Sequence, residues 1–360
     1  MLKKKILIGL AAFLLLAGQG CVSFSKKGSG AMGVFRSGDK GESWQPAFTL
    51  LTDQGIKSIG LVKAYKFFTD PSDPNALYLG SRGQGLFYSY NNGQTWQLAK
   101  DMQGKFIYAL AVDPRDKCNI YASDGGHIYK TDDCARTWKM VFTEERPDQR
   151  LAAVAVDAGD SKTIYGAELG GDVLRSRDSG ASWRIVHRFG VDTRYLLADP
   201  AKPGRLYAAT LGSGLFRSDD NGNSWQDMSK PLENFSGSKD FYKLILNPAQ
   251  ANSLFWISKY GILRSDDSGE TWVDLKLLTP PGSVNIYAFA VNPQNQSELY
   301  YTGTILGEGG ANARSTFYKS VDGGKNWVTR KLPTNTIPVD MLAHKKSGNT
   351  LFLGFTTADK

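Results

Sequence analysis

One eight-residue phrase, written seven times, constrains this chain more than any other feature. The copies are "SGDKGESW" at 37–44, "SYNNGQTW" at 89–96, "TDDCARTW" at 131–138, "SRDSGASW" at 176–183, "SDDNGNSW" at 218–225, "SDDSGETW" at 265–272 and "SVDGGKNW" at 320–327. The phrase ends on Trp44, Trp96, Trp138, Trp183, Trp225, Trp272 and Trp327, so seven of the eight tryptophans share one slot. The acid slot holds Asp39, Asn91, Asp133, Asp178, Asp220, Asp267 and Asp322. Self-similarity at a period of 40–50 residues is the mark of an array whose units bury their apolar faces on one another.

Each phrase lies between two short apolar runs, as in Gly214-Leu-Phe-Arg217 before the copy at 218–225. It reads as the turn of a β-hairpin. The acid accepts hydrogen bonds from turn amides and the glycine takes a positive φ. The indole offers ~150–250 Å² of surface to bury. A second motif alternates with the first: apolar strand, a turn that usually carries Asp-Pro or Asn-Pro, apolar strand. It stands at 67–80, 110–123, 154–167, 196–209, 244–257, 289–302 and 342–355. Proline fixes φ in such a turn and is excluded from a central ladder. Four strands per period (A-B hairpin, then C-D hairpin) predict an all-β fold, a seven-bladed β-propeller of four-stranded antiparallel blades. The chain opens on a C-D hairpin near 33–48 and closes on an A-B hairpin near 337–355. Joined, they complete the last blade 2+2 and leave no open sheet edge.

The first residues, "MLKKKILIGLAAFLLLAGQGC", carry a basic start and an apolar stretch too short to span a bilayer comfortably. Residues 1–20 are expected to be a signal peptide and 21–32 a linker, with 33–360 the propeller. Gly20-Cys21 resembles a bacterial lipoprotein processing site, although Gly18 stands where Leu is usual. An ordinary signal peptide with an incidental cysteine is the alternative. Lipid on Cys21 would hold the chain to a membrane. Val22, where an inner-membrane retention signal would place Asp, points to the outer membrane of a bacterial envelope. The formal charge is +8, or +5 without Lys3, Lys4 and Lys5. No basic run is interleaved with stacking aromatics, so no nucleic-acid partner is expected.

The phrase and its spacing resemble the Asp-box, or BNR-repeat, seven-bladed propellers across residues 33–355. That group includes sialidases, xyloglucanase-type glycosidases, sortilin-type receptors and lipoproteins similar to the photosystem II stability/assembly factor. The resemblance implies fold and leaves function open. Asn91, Ala135 and Asn326 depart from the pattern, and their turns are expected to be less well pinned. The acid-rich wording partly matches a calcium loop but lacks its downstream Glu, so no metal and no cofactor is expected. Cys118 falls in an A-B turn and Cys134 in the C-D turn of the same blade. A disulfide between them is expected, two free thiols being the alternative.

A-B and C-D turns share one face. The other face, around the channel mouth, carries the starts of the inner strands and the B-C loops. Its candidate ligand-binding residues are Tyr65, Lys66, Arg82, Tyr108, Glu168, Arg194, Tyr242, Lys243, Tyr287 and Asp340, with Tyr195, Lys259, Tyr260, Glu308 and Arg314 beside them. The segments 228–241 and 303–316 are long for propeller loops. The three histidines show no metal spacing, no Gly-x-Ser-x-Gly elbow is present, and no Arg-Ile-Pro segment of the sialidase kind occurs. These observations favour a non-catalytic envelope lipoprotein that binds a protein partner at the mouth. The alternative is a glycoside hydrolase acting on a glycan through two mouth carboxylates, Glu168 and Asp340 being the candidates.

Overall fold

A computed structural model describes residues 30–307 and 313–358. Cys21, most of the expected linker and Glu308 lie outside the described residues. Within them, seven four-stranded antiparallel sheets form the blades of a propeller. Blade 1 runs Ala64–Thr69, Leu77–Ser81, Leu86–Ser89 and Gln97–Leu98 as strands A to D. Blades 2 to 6 occupy residues 109–143, 151–188, 193–227, 241–274 and 289–330. Blade 7 takes A and B from the C-terminal end (Ile337–Ala343, Leu351–Thr356) and C and D from the N-terminal end (Gly33–Ser37, Gln45–Pro46). Its B-C register runs from Gly33 opposite Phe355 to Ser37 opposite Leu351, so the two ends of the chain share one sheet.

The box turns show why the phrase is conserved within the chain. In the copy at 176–183, Asp178 Oδ1 accepts from the Ser182 amide at 2.8 Å and the Ser176 hydroxyl at 2.7 Å. Ser176 Oγ in turn accepts from the Gly180 amide at 2.9 Å. Two successive residues are left-handed, Ser179 at φ 61° and Gly180 at φ 93°. The first of the two donates its amide to the A-B turn of its own blade, at 2.7–3.4 Å, in all seven copies: Lys40 to Asn349, Asn92 to Asn75, Cys134 to Cys118, Ser179 to Lys162, Asn221 to Gly204, Ser268 to Asn252 and Gly323 to Ser297. In blade 7 this bond again joins the N-terminal end to the C-terminal one.

The three departures keep the pins that were expected to weaken. Asn91 accepts from the Thr95 amide at 3.0 Å and donates to the Thr95 hydroxyl at 2.8 Å. Asn326 donates to Asp322 at 2.7 Å. Ala135 takes φ 68° despite its Cβ. A carboxylate and an amide both offer an acceptor here, and either donor–acceptor direction closes the turn. Glycine is favoured at this slot for a second reason, close approach to the preceding blade: a Cβ on Gly93 would lie 2.7 Å from Phe352.

The core consists of seven apolar clusters, one at each blade interface, and every box tryptophan belongs to one of them. Trp96 is fully buried and donates its indole N–H to the Ala47 carbonyl of blade 7 at 2.9 Å. Trp138, Trp272 and Trp327 are buried, whereas Trp44, Trp183 and Trp225 are half-buried. Trp256, outside the repeat, is the indole of strand B in blade 5 and is fully buried. Strand B is buried along its whole length in most blades, and its aromatic rings reach the next blade. Tyr121, for example, donates to the Ser179 carbonyl at 3.1 Å.

Cys118 and Cys134 are disulfide-bonded, 16 residues apart. The A-B turns are built alike: an Asp or Asn accepts from backbone amides two or three residues on. In blade 7 the sequence "HKKSG" lacks the acid, and His344 Nδ1 takes its place, accepting from Lys346 and Ser347 at 3.2 and 2.9 Å. Burial, then the nearby Arg36, lowers the His344 pKa and keeps the ring an acceptor. One element was not foreseen. Thr49–Thr52 and Gly55–Ser58 form an extra hairpin between blades 7 and 1, bonded to the Trp96 backbone at 2.8 Å.

Candidate functional site

Strand A of each blade lines the central channel, and five of the seven A-B pairs shift register near the start of A. These bulges fall at Tyr65, Ala152, Arg194, Tyr242 and Val339. A bulge inserts one residue and re-aims the side chains around it. Three of the sequence candidates stand at these points, which explains how neighbouring side chains such as Tyr65 and Lys66 both face the mouth or lumen.

Deep in the lumen, three sequence candidates from three blades converge. Lys243 of blade 5 forms an ion pair with Asp340 of blade 7. Asp340 also accepts from the Phe67 amide of blade 1 at 2.7 Å and from the Met341 amide at 2.9 Å. Both charged side chains are buried. Lys66 of blade 1 points its ammonium at the Tyr195 ring of blade 4, 4.1 Å from the centroid. Burial, then the neighbouring Lys243, brings the Lys66 pKa down to about 8, while burial carries the Tyr195 hydroxyl well above its ordinary value.

Above this pillar the mouth is aromatic and cationic. Tyr65 stacks edge-on against Phe106 at 4.8 Å and lies 6.2 Å from Tyr108, and Phe106 and Tyr108 stack at 4.3 Å. The Arg82 guanidinium sits 5.9 Å from the Tyr65 ring. Arg194 is half exposed and pairs with Asp192 at 3.3 Å. Tyr242 and Tyr287 face each other at 6.0 Å, and the Tyr242 hydroxyl donates to Asn285 at 3.1 Å. Phe106, which sequence reasoning missed, sits in a D-A loop directly before strand A. Its aromatic neighbour Tyr108 was the available signal.

Glu168 is fully buried between blades 2 and 3 and does not line the mouth. Arg146 clamps it at 2.5 Å, Glu144 at 2.8 Å and Asp172 at 3.0 Å. Burial, then the hydrogen bond and charge of Glu144, push the Glu168 pKa up, whereas the hydrogen bonds of Arg146 hold Glu144 down. Among the described residues no group of His, Cys, Asp and Glu has the geometry of a metal site. The segment 228–241 is ordered: Leu232 is buried, Lys230–Asn234 is a short 3-10 helix, and Ser238 accepts from the Trp256 indole at 2.8 Å. Tyr260 bonds Asp274 at 3.1 Å and Lys259 pairs with Asp240 at 3.7 Å. Arg314 opens a strand that extends the long B-C connection as a ladder.

Several known proteins are similar to this chain. A xyloglucanase from Paenibacillus sp is 30% identical over 171 residues, 47% of this chain and 14% of that protein. The vacuolar protein sorting/targeting protein 10 of Aspergillus terreus is 25% identical over 184 residues, 44% of this chain and 12% of its own length. The chain thus spans about one-seventh of the length of the curated relatives it matches. Among solved structures, the GH74 xyloglucanase from Xanthomonas campestris superposes with a TM-score of 0.64 at 18% identity, covering 82% of this chain and 51% of that one. The structure of YCF48 bound to D1 peptide gives a TM-score of 0.59 at 16% identity, covering 83% of this chain and 94% of that one. Both likenesses show the fold. A BNR/Asp-box repeat model matches residues 87–98, the copy that ends on Trp96. The model of the DUF6242 beta propeller domain matches residues 111–353, about two-thirds of the sequence, and the chain belongs to that family.

Proposed function

We propose that this propeller is a non-catalytic binding scaffold whose channel mouth takes an extended segment of a protein partner. The observation that carries the reading is the division of labour on the mouth face. Aromatic rings and guanidinium groups (Tyr65, Phe106, Tyr108, Arg82, Arg194) cluster there half-buried or exposed, whereas both candidate acids are buried and bound internally, Glu168 by Arg146 and Asp340 by Lys243. Aromatic and arginine side chains are the usual anchors of protein recognition, because they bury large area with little lost rotamer freedom. Their charge suits a segment carrying Asp, Glu or a terminal carboxylate. The likeness to a propeller solved with a bound peptide, over nearly all of that chain, agrees with this use of the fold. Attachment at Cys21 to a bacterial outer membrane belongs to the same reading and rests on the leader sequence alone.

A glycan is the second reading, favoured by the xyloglucanase relatives. A retaining glycosidase needs two carboxylates about 5–5.5 Å apart with the sugar between them, an inverting one about 6.5–9.5 Å. Here the Arg146 guanidinium binds both Glu144 and Glu168, and Asp340 is bound by Lys243 inside the lumen. The deciding experiment uses residues 30–360 as bait against envelope extract and, separately, as catalyst on xyloglucan and aryl glycosides. Capture of a partner by the native bait and its loss in Tyr65→Ala/Tyr108→Ala/Arg194→Ala support the scaffold. Glycoside turnover abolished by Glu168→Gln or Asp340→Asn overturns it.

A further inference from the structure

We propose that the extra hairpin at residues 49–58 is a membrane-contact element that rests on the bilayer surface. The proposal depends on the reading of Cys21 as a lipid anchor. In the register of this hairpin, Leu51 stands directly opposite Ile56 and Leu50 opposite Lys57. Side chains alternate across a strand, so Leu51 and Ile56 share one face and Leu50 lies on the other. Leu50 is buried at the interface between blades 7 and 1, whereas Leu51 and Ile56 are 41% and 77% exposed. Leu61, just past the hairpin, is 69% exposed. An aliphatic pair held outward on an otherwise anchored hairpin contributes nothing to the propeller core.

The path of the chain selects the occupant. The first described residues pair with the segment that follows the hairpin: the Met32 amide donates to the Gly60 carbonyl and the Gly33 amide to the Val62 carbonyl, both at 2.9 Å. The sequence arriving from Cys21 therefore enters the propeller beside Leu61. Nine peptide steps separate Cys21 from Gly30, a reach of at most about 30 Å, and the hairpin strands are only about 13 Å long. A bilayer carrying the anchor would lie no more than about 30 Å from Gly30, close enough for this hairpin to reach it. The chemistry agrees. Lys57 follows Ile56 on the hairpin and is exposed on the face opposite the aliphatic pair. Aliphatic side chains beside lysines are the composition that settles at an anionic headgroup boundary. Val273, 67% exposed, stands on the outer strand of blade 5, away from the entry of the chain.

The test uses the full lipid-processed chain in vesicles of three parts phosphatidylglycerol to seven parts phosphatidylethanolamine. The native cysteines are occupied, Cys118 and Cys134 by their disulfide and Cys21 by lipid, so Ile56→Cys or Val273→Cys supplies the single thiol for a polarity-sensitive label. Intact mass reads the lipid on Cys21 independently. The expected result is about threefold quenching of the Ile56→Cys label by lipids spin-labelled high in the acyl chain, with little at Val273→Cys, as for side chains seated at the interface. Adding Leu51→Ser and Leu61→Ser should abolish the quenching while the lipid on Cys21 remains. A lipid-modified chain with an unquenched label at residue 56 overturns the docking and leaves the anchor standing. So does a label that turns apolar only as protein concentration rises, which means a second copy covers the face. A Cys21 without lipid overturns the anchor and the docking together.

Discussion

Asp340→Asn should loosen the whole ring although the residue lies outside every blade interface cluster. Asp340 accepts from three donors: the Lys243 ammonium, the Phe67 amide and the Met341 amide. An asparagine retains one acceptor oxygen and turns its NH₂ group toward a remaining donor. Breaking a buried ion pair from one side costs about 3–5 kcal/mol, because the surviving charge stays buried. An amide such as that of Phe67, left without an acceptor, adds about 1–3 kcal/mol. Water entering the lumen relieves part of this sum, and we expect a net loss of about 3–4 kcal/mol, a large share of a typical domain stability of about 5–15 kcal/mol. Removing both charges in Lys243→Met/Asp340→Asn should cost less than Asp340→Asn alone, with a coupling of about 2 kcal/mol or more. Urea unfolding followed by tryptophan fluorescence reads the effect, since a box indole reports from each interface. A loss under about 0.5 kcal/mol, the level of an ordinary surface substitution, or additive effects in the double variant, would refute the pillar.

Replacing both Cys118 and Cys134 by serine should cost about 3 kcal/mol by loop entropy, read as a lower urea midpoint without loss of the far-ultraviolet β signal. The box acids set an acid limit. Ser182 holds Asp178, and Asn326 holds Asp322, each down to about 2, so their contribution is present above the ordinary carboxylate range and is lost as pH falls from about 4 toward 2. Asp178→Asn/Asp322→Asn should flatten the fall of melting temperature across that window. Glu168 has the opposite sign. Its folded pKa is raised, so stability is complete below the ordinary carboxylate range and declines as pH rises toward the folded value. Glu168→Gln should therefore gain stability relative to the native protein as the pH is raised, read by thermal unfolding at a series of pH values.

What the sequence made legible is what repeats. Seven indoles in one slot and seven box turns made blade number, face polarity and the shared last blade readable, because each copy must satisfy the same backbone geometry locally. The Cys118–Cys134 disulfide followed from that frame. The hidden features join residues far apart in sequence. Lys243 and Asp340 are 97 positions apart and meet only because the ring closes. The Arg146 clamp assembles a D-A loop with strands B and C of the next blade, so Glu168 looked like a free mouth acid and is an interior one. Asn91 and Asn326 looked like defects, because a pattern of residue types does not reveal that a side-chain amide can run the same bonds in reverse. The hairpin at 49–58 falls between two periods, where the repeat says nothing, and "TLLTDQGIKS" carries no motif beyond its Asp-Gln-Gly turn.

The mouth-face scaffold is tested most directly by placing a photo-crosslinking residue at Tyr108 and, in a second protein, at Ser43 in a box turn on the opposite face. Both would be irradiated in intact cells and the adducts identified by mass spectrometry. The binding reading predicts one dominant polypeptide adduct at position 108, mapped to an extended acidic segment, and none at position 43. Adducts of equal yield at both positions, or glycan alone at position 108, would contradict it.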